Sequence, residues 1–240
     1  MNKQSNRYIF TYSSVMVIVV AAVLAIASIS LKPFQDKNAE IEKKSNILKS
    51  VGLVVPQNAA SKEKWTEDAY NKHIVKAFVI DSLGDPKAGI DAFNIDMKAE
   101  IAKAGKDRNL PVFEYKDDQG NQLYIIPVRG RGLWGPIWGY VALKSDFNTI
   151  AGATFDHQGE TPGLGAEINT PAFQSQFNGK KIFDGNTFTS IKVMKGGATP
   201  GNVHEVDAIS GGTITSRGLE AMLLNCLRPY ELYFQKNKKK

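Results

Sequence analysis

The segment Asp207-Ala-Ile-Ser-Gly-Gly-Thr-Ile-Thr-Ser216 concentrates glycines and hydroxyl side chains just ahead of a helical pattern. Leu219, Met222, Leu223 and Cys226 follow at i, i+3, i+4 and i+7, which predicts a helix with one apolar face. The strand signals upstream come without regular strand–helix alternation, so this helix closes an α+β domain with antiparallel sheet. A helix entrance leaves backbone N–H groups unpaired and carries the positive end of the macrodipole, which suits a phosphate. Ser210, Thr213 and Thr215 place three hydroxyls there, where one could be bonded to phosphorus. Gly211 and Gly212 let a bulky ligand, or an enzyme attaching one, approach the backbone. The competing reading is that Thr213 or Thr215 simply caps the helix.

At the other end of the chain, residues 8–31 form 24 positions without a charge, ended by Lys32 and Pro33. About 20 apolar residues cross a bilayer, so a transmembrane helix is expected over 8–31. A cleaved signal peptide is the alternative, with Lys3 and Arg7 as its basic start and Ala25-Ile26-Ala27 as a cleavage site. The run exceeds the roughly 7–15 residues of a secretory apolar core, which favours a retained anchor. Lysines and arginines flank both ends, so charge alone does not orient it.

The formal net charge is +6, but Lys236, Lys238, Lys239 and Lys240 supply four of those units in a basic tail over 236–240. The folded part is nearly balanced, which argues against a nucleic-acid partner. The single cysteine, Cys226, excludes an intrachain disulfide and a cysteine-rich cluster, and reads as a small buried hydrophobe. His73, His157 and His204 lack metal-ligand spacing, so no metal site is expected. No catalytic triad or acid–base pair is visible.

Between anchor and helix, residues 36–52 read as a polar helix with Gly52 as its stop, within a juxtamembrane stalk over 32–60. A short helix capped by Ser61 and a strand over 74–80 follow. Residues 81–108 look like an insertion, with a helix near 96–104. Strands are expected over 112–115, 123–126, 138–143, 149–155 and 190–194, with a hairpin turn at 117–121 and a short helix over 171–177.

Two further segments carry chemistry. Gly130-Arg-Gly-Leu-Trp-Gly-Pro-Ile-Trp-Gly-Tyr140 interleaves glycines with aromatics that could stack on a planar ring system, or could simply form a tight turn. Arg129 and Arg131 could pair with a phosphate or face solvent. His157-Gln-Gly-Glu-Thr-Pro-Gly-Leu-Gly165 is a stiff loop whose N–H groups could meet ligand carbonyls or phosphate.

Taken in order, Gly130-Arg-Gly-Leu-Trp134, His157-x-x-Glu-Thr-Pro-Gly-Leu-Gly165 and Asp207-x-x-Ser-Gly-Gly-Thr213 resemble the FMN-binding domain of one family. It is the C subunit of the sodium-translocating NADH:quinone reductase; the anchor and Lys44-Ser-Asn-Ile-Leu48 add to the likeness. The G subunit of Rnf-type electron transport complexes is a near relative that shares the loop and the modified threonine. The third motif resembles the flavinylation signature D-x-x-[S/T]-G-A-T, with Gly212 where alanine is usual. The resemblance implies FMN joined to Thr213 by a phosphoester, made by a separate magnesium-dependent transferase from FAD. It implies cofactor contacts from Asp207, Ser210, Gly211, Gly212, Thr213, Thr215, Leu133, Trp134, His157, Glu160, Thr161, Gly163 and Leu164. It also implies a single-pass protein of the inner membrane, residues 1–7 cytoplasmic and the FMN-binding domain, 61–235, periplasmic. Such a chain relays electrons from NADH toward quinone, through partner subunits, coupled to sodium export. A membrane-tethered binding module without redox work is the other class of reading.

Overall fold

The computed structural model describes residues 5–238; the basic residue Lys3, the start of the cytoplasmic segment and the tail lysines 239 and 240 lie outside the described residues. The chain divides into two compact units, residues 1–43 and 44–240.

The first unit is most of one long helix, α1 (Asn6–Lys49). Its most apolar 18-residue window has a mean hydropathy of 2.7 and no part buried within the chain, so it is long and apolar enough to cross a membrane. The sequence suggests a span that stops at Pro33 and a separate stalk helix, but α1 runs straight through Pro33. Proline costs a hydrogen bond and some bending, which long helical flanks absorb. A Lys32–Asp36 ion pair of 3.0 Å bridges the turn.

In the second unit, the end of α1 closes as expected at Gly52. Gly52 has φ +83°, its N–H bonds Lys49 O at 2.9 Å and Leu53 N–H bonds Leu48 O at 3.1 Å. This pair of bonds is the Schellman arrangement, and it satisfies carbonyls that the helix end leaves open. Helix α2 (Lys62–His73) follows, with Ser61 Oγ accepting the Lys64 N–H.

Strands β1 (Ile74–Ile80) and β2 (Pro86–Lys87) are followed by α3 (Met97–Ala102), β3 (Leu110–Lys116), β4 (Gln122–Arg131), β5 (Pro136–Lys144) and β6 (Ile150–His157). All six strands form one antiparallel sheet in the order β2-β1-β3-β4-β5-β6. After α4 (Pro171–Gln174), β7 (Phe183–Asp184) pairs with β8 (Thr187–Phe188), and β9 (Lys192–Met194) lies parallel to β10 (Glu205–Asp207). Helices α5 (Thr213–Leu227) and α6 (Glu231–Asn237) end the described chain. The fold is therefore α+β with a mainly antiparallel sheet.

Strand alternation sorts the core onto two faces. Ile126, Val128, Val141 and Leu143 pack with Leu219, Leu223 and Leu227 of α5 and Phe234 of α6. Their neighbours Ile125, Tyr140 and Ala142 pack with Phe113, Val79 and Ile47 on the opposite face. Strand β4 is longer than the sequence suggests, because its pairing with β5 continues to Arg131↔Pro136. The Gly130–Tyr140 segment is thus the tip and return of a hairpin.

Helix α5 lies on β4 at very short range. A Cβ on Gly130 would come 2.6 Å from Met222 Cβ, and a Cβ on Gly218 would come 2.2 Å from Arg131 O. Helix propensity favours Gly218→Ala by about 1 kcal/mol, but a clash with a backbone oxygen cannot be relieved by a rotamer. Gly218→Ala is expected to lower stability by about 1–3 kcal/mol. Thermal unfolding of the detergent-solubilised protein should show a reduced Tm; an unchanged or raised Tm would mean that helix and strand are not held this close.

Candidate functional site

The first turn of α5 sits where the close helix–strand contact delivers it, beside the β4–β5 hairpin. Gly211 has φ +73°, Gly212 is the N-cap residue, and no side chain caps the helix. The first N–H groups therefore point out of an entrance built by two glycines. Thr213 is the first helical residue and is half-buried; Ser210 is exposed. Neither Thr213 nor Thr215 acts as the cap, which corrects the capping alternative.

Two residues on, Thr215 faces the interior. It is 1% exposed, and its hydroxyl donates to Glu160 Oε2 at 2.5 Å. Ser216 is also buried and accepts the Ile209 N–H at 3.1 Å, which fastens the approach segment to the helix. The structure thus separates the two threonines: Thr213 stands at the entrance and Thr215 is committed to an internal hydrogen bond.

Glu160, 5% exposed, joins three segments that are far apart in sequence. Its Oε1 accepts the Trp134 N–H at 2.9 Å, its Oε2 takes the Thr215 hydroxyl, and its own N–H donates to His157 Nδ1 at 3.2 Å. Two glycines make room for it. A Cβ on Gly132 would lie 2.5 Å from Glu160 Oε1, and one on Gly165 would lie 2.3 Å from Oε2. The space that side chains on Gly132 and Gly165 would fill is taken by the Glu160 carboxylate.

The loop after β6 touches the helix entrance directly. A Cβ on Gly211 would meet Leu164 Cδ2 at 2.5 Å. Thr161 O accepts N–H groups of Leu164 and Ala166, and Gly163 has φ +76° with its N–H donating to Glu167 Oε1 at 3.0 Å. Gly212, where alanine is usual in the resembling signature, does not leave a gap: Ile209 Cγ2 lies 2.9 Å from where its Cβ would be. The segments tied together here expose Leu133, Trp134, Leu164 and Ile214, with Trp134 67% exposed.

Asp207 bonds to a neighbouring loop. Its carboxylate accepts the Ala198 N–H at 2.6 Å and its N–H donates to Gln176, so it holds the glycine-rich loop 195–201. Cys226 is buried as expected, and in addition its thiol accepts the Arg129 N–H at 3.4 Å and donates to Arg129 O at 3.2 Å. Burial pushes that thiol's pKa up. Among the described residues no group of three His, Cys, Asp or Glu could hold a metal.

Arg129, Arg131 and Trp134 line a cavity of about 670 Å³ together with Lys98 and Ile101 of α3. The Arg129 guanidinium lies 5.9 Å from the Trp138 ring centroid. Residues 81–108 look like a bare insertion in the sequence, and nothing local marks Lys98 or Ile101. Glu100 pins this insertion: its carboxylate accepts Asn109 N–H at 2.9 Å, Asn109 Nδ2 at 3.1 Å and Lys103 Nζ at 2.8 Å.

A family model described as "FMN-binding domain" matches residues 132–228, from the hairpin tip through α5. The chain is 36% identical over 218 residues to the C subunit of Na(+)-translocating NADH-quinone reductase from Vibrio vulnificus, covering 85% of this chain and 83% of that one. It is 32% identical over 234 residues to the corresponding C subunit of Haemophilus ducreyi, covering 91% and 88%. Among solved structures it is similar to the C subunit of Parabacteroides distasonis, with a TM-score of 0.75, 43% identity and coverage of 85% and 96%. It is similar also to the NqrC of Shewanella oneidensis, with a TM-score of 0.69, 31% identity and coverage of 83% and 97%.

The pin at Glu100 makes one wall of the cavity sensitive to acid. Burial works to raise its pKa, but hydrogen bonds from Asn109 and Lys103 outweigh it and leave the net value below the ordinary 4.5. A depressed carboxylate contributes stability that is present above pH 4.5 and lost as pH falls through the folded-state value. Amide exchange across residues 97–109 is expected to quicken on acidification below that point, relative to the sheet, and Glu100→Gln should remove this pH dependence. Parallel behaviour of the two proteins would refute it.

Proposed function

This chain belongs to the family of C subunits of Na(+)-translocating NADH-quinone reductases, and from that premise we propose that it is a membrane-anchored electron carrier. FMN is held covalently by a phosphoester to Thr213 Oγ1. The observation that carries this reading is the position of Thr213: first residue of an uncapped helix, behind Gly211 and Gly212, with Thr215 removed from competition by Glu160.

The entrance fits a flavin phosphate in charge and shape. Unpaired N–H groups of the first turn supply donors, and the macrodipole adds about 0.3–1 kcal/mol at an exposed site. That is too little to retain a cofactor, so the covalent bond provides retention. Trp134, Leu133 and Leu164 expose apolar surface around the entrance, suited to an aromatic ring system. FMN bound there would supply one- and two-electron redox chemistry, while the protein sets its position and potential. His157 and Glu160 act from behind, by fixing the hairpin and the loop, and Asp207 by fixing the neighbouring loop 195–201.

Attachment requires Thr213 Oγ1 to form a bond to the phosphorus of an activated flavin. With FAD as donor, AMP departs with the bridging oxygen and the hydroxyl proton is released. A separate magnesium-dependent transferase performs this step. Helix α1, with its span over 8–31, anchors the chain in the inner membrane with the FMN-binding domain on the periplasmic side. Electrons pass between this flavin and partner subunits on the way from NADH to quinone, coupled to sodium export. The C-subunit relatives favour this reading over the Rnf-type one.

Thr213→Ala is expected to abolish the covalent flavin and leave the fold intact. Thr215→Ala should keep the flavin but unfold more easily, since Glu160 loses a buried hydrogen bond worth about 1.5–3 kcal/mol. Flavin fluorescence of the denatured band and the mass of the peptide spanning 196–217, from protein made beside the transferase, read both outcomes. A colourless wild-type protein would favour a binding module without redox work. A flavin on Thr213→Ala would move the attachment to another hydroxyl.

A further inference from the structure

Glu160 is buried, yet among the described residues it forms no ion pair. Both of its oxygens accept, one from Trp134 N–H and one from the Thr215 hydroxyl, which is the bonding pattern of a carboxylate. Tying a hairpin to a helix needs only a side chain of this shape with two polar atoms. A buried charge without an ion partner is costly to keep. It also acts on its surroundings with little screening by solvent or salt.

Resting on the FMN reading above, we propose that Glu160 is a positioning residue whose negative charge also lowers the reduction potential of the flavin held on Thr213. The carboxylate is bonded to the residue two positions after Thr213 and to the backbone of Trp134, whose indole is exposed. Each electron accepted by the flavin adds negative charge unless a proton accompanies it. A fixed anion one hydrogen bond behind both segments opposes that gain. A reductant such as dithionite, itself oxidised to sulfite, must therefore be driven to a lower potential to fill this flavin than one beside a neutral residue.

Glu160→Gln isolates the charge. This substitution can keep the geometry: the new amide oxygen accepts Trp134 N–H, and the amide N–H donates to Thr215 Oγ1 after the hydroxyl turns. Intact mass first establishes that wild type and variant carry the flavin. Mediated redox titration of the full-length protein in detergent is then expected to give a more positive midpoint for E160Q, with the difference preserved at high salt. Visible circular dichroism of the flavin should be unchanged. Glu160→Asp keeps the charge and breaks the geometry, so its midpoint should stay closer to wild type than that of E160Q. If the glutamine variant does not fold, Glu160→Met removes the charge at similar length and gives the same readout. Equal midpoints in loaded wild type and E160Q would overturn the proposal, as would equal shifts in the Asp and Gln variants. A wild type without the FMN adduct would overturn the flavin reading itself, and is read from the mass before any titration.

Discussion

Helix α5 and strand β4 approach until backbone meets backbone, and a single methyl at Gly218 would strike Arg131 O. That spacing fixes where the first turn of the helix lies relative to the hairpin tip. A bulkier contact would lift α5 off the sheet and carry Thr213 and Thr215 away from Glu160. The apolar stripe Leu219, Met222, Leu223 and Cys226 supplies the adhesion, and Gly130 and Gly218 set its distance. Even the thiol of Cys226 takes part, by pairing with both backbone groups of Arg129 beside the same contact.

On that frame the glycines divide into two kinds. Gly211 needs its positive φ and its missing side chain, since Leu164 occupies the space of a Cβ. Gly132 and Gly165 have no such backbone demand; they are small because a carboxylate is wedged between them. A glycine-rich motif is thus as much a record of internal packing as of ligand approach. The distinction matters for function: Glu160 and Thr215 behind the entrance already satisfy each other, and what remains open are backbone N–H groups, the hydroxyls of Ser210 and Thr213, and exposed apolar side chains. That combination suits a phosphate with an aromatic body attached.

The insertion over residues 81–108 shows how a segment without a motif can shape a site. Glu100 and Arg108 secure it, the latter through bonds to Ile101 O and Asn225 O, so α3 is tied down where its Lys98 and Ile101 line a cavity with Arg129 and Arg131. The outcome is a cavity lined by cations from two elements, next to the exposed indole of Trp134.

The sequence by itself determined the features whose physics is local. A charge-free run is long enough for a bilayer by counting; an i, i+3, i+4, i+7 stripe defines α5 by its period; Gly52 and Ser61 mark helix ends by backbone freedom and a hydroxyl; alternation locates the central strands. The three motif segments were legible through their resemblance to a known family, and the preference for Thr213 among the three hydroxyls rested on that resemblance and not on local physics. Tertiary structure alone decided which hydroxyls are available, because the partner that withdraws Thr215 is 55 residues away. It alone showed that Asp207 bonds to a neighbouring loop, that α1 passes through Pro33, and that Lys98 and Arg131 line one cavity. Each of these depends on contacts between distant parts of the chain, and such contacts leave no periodicity or spacing to read.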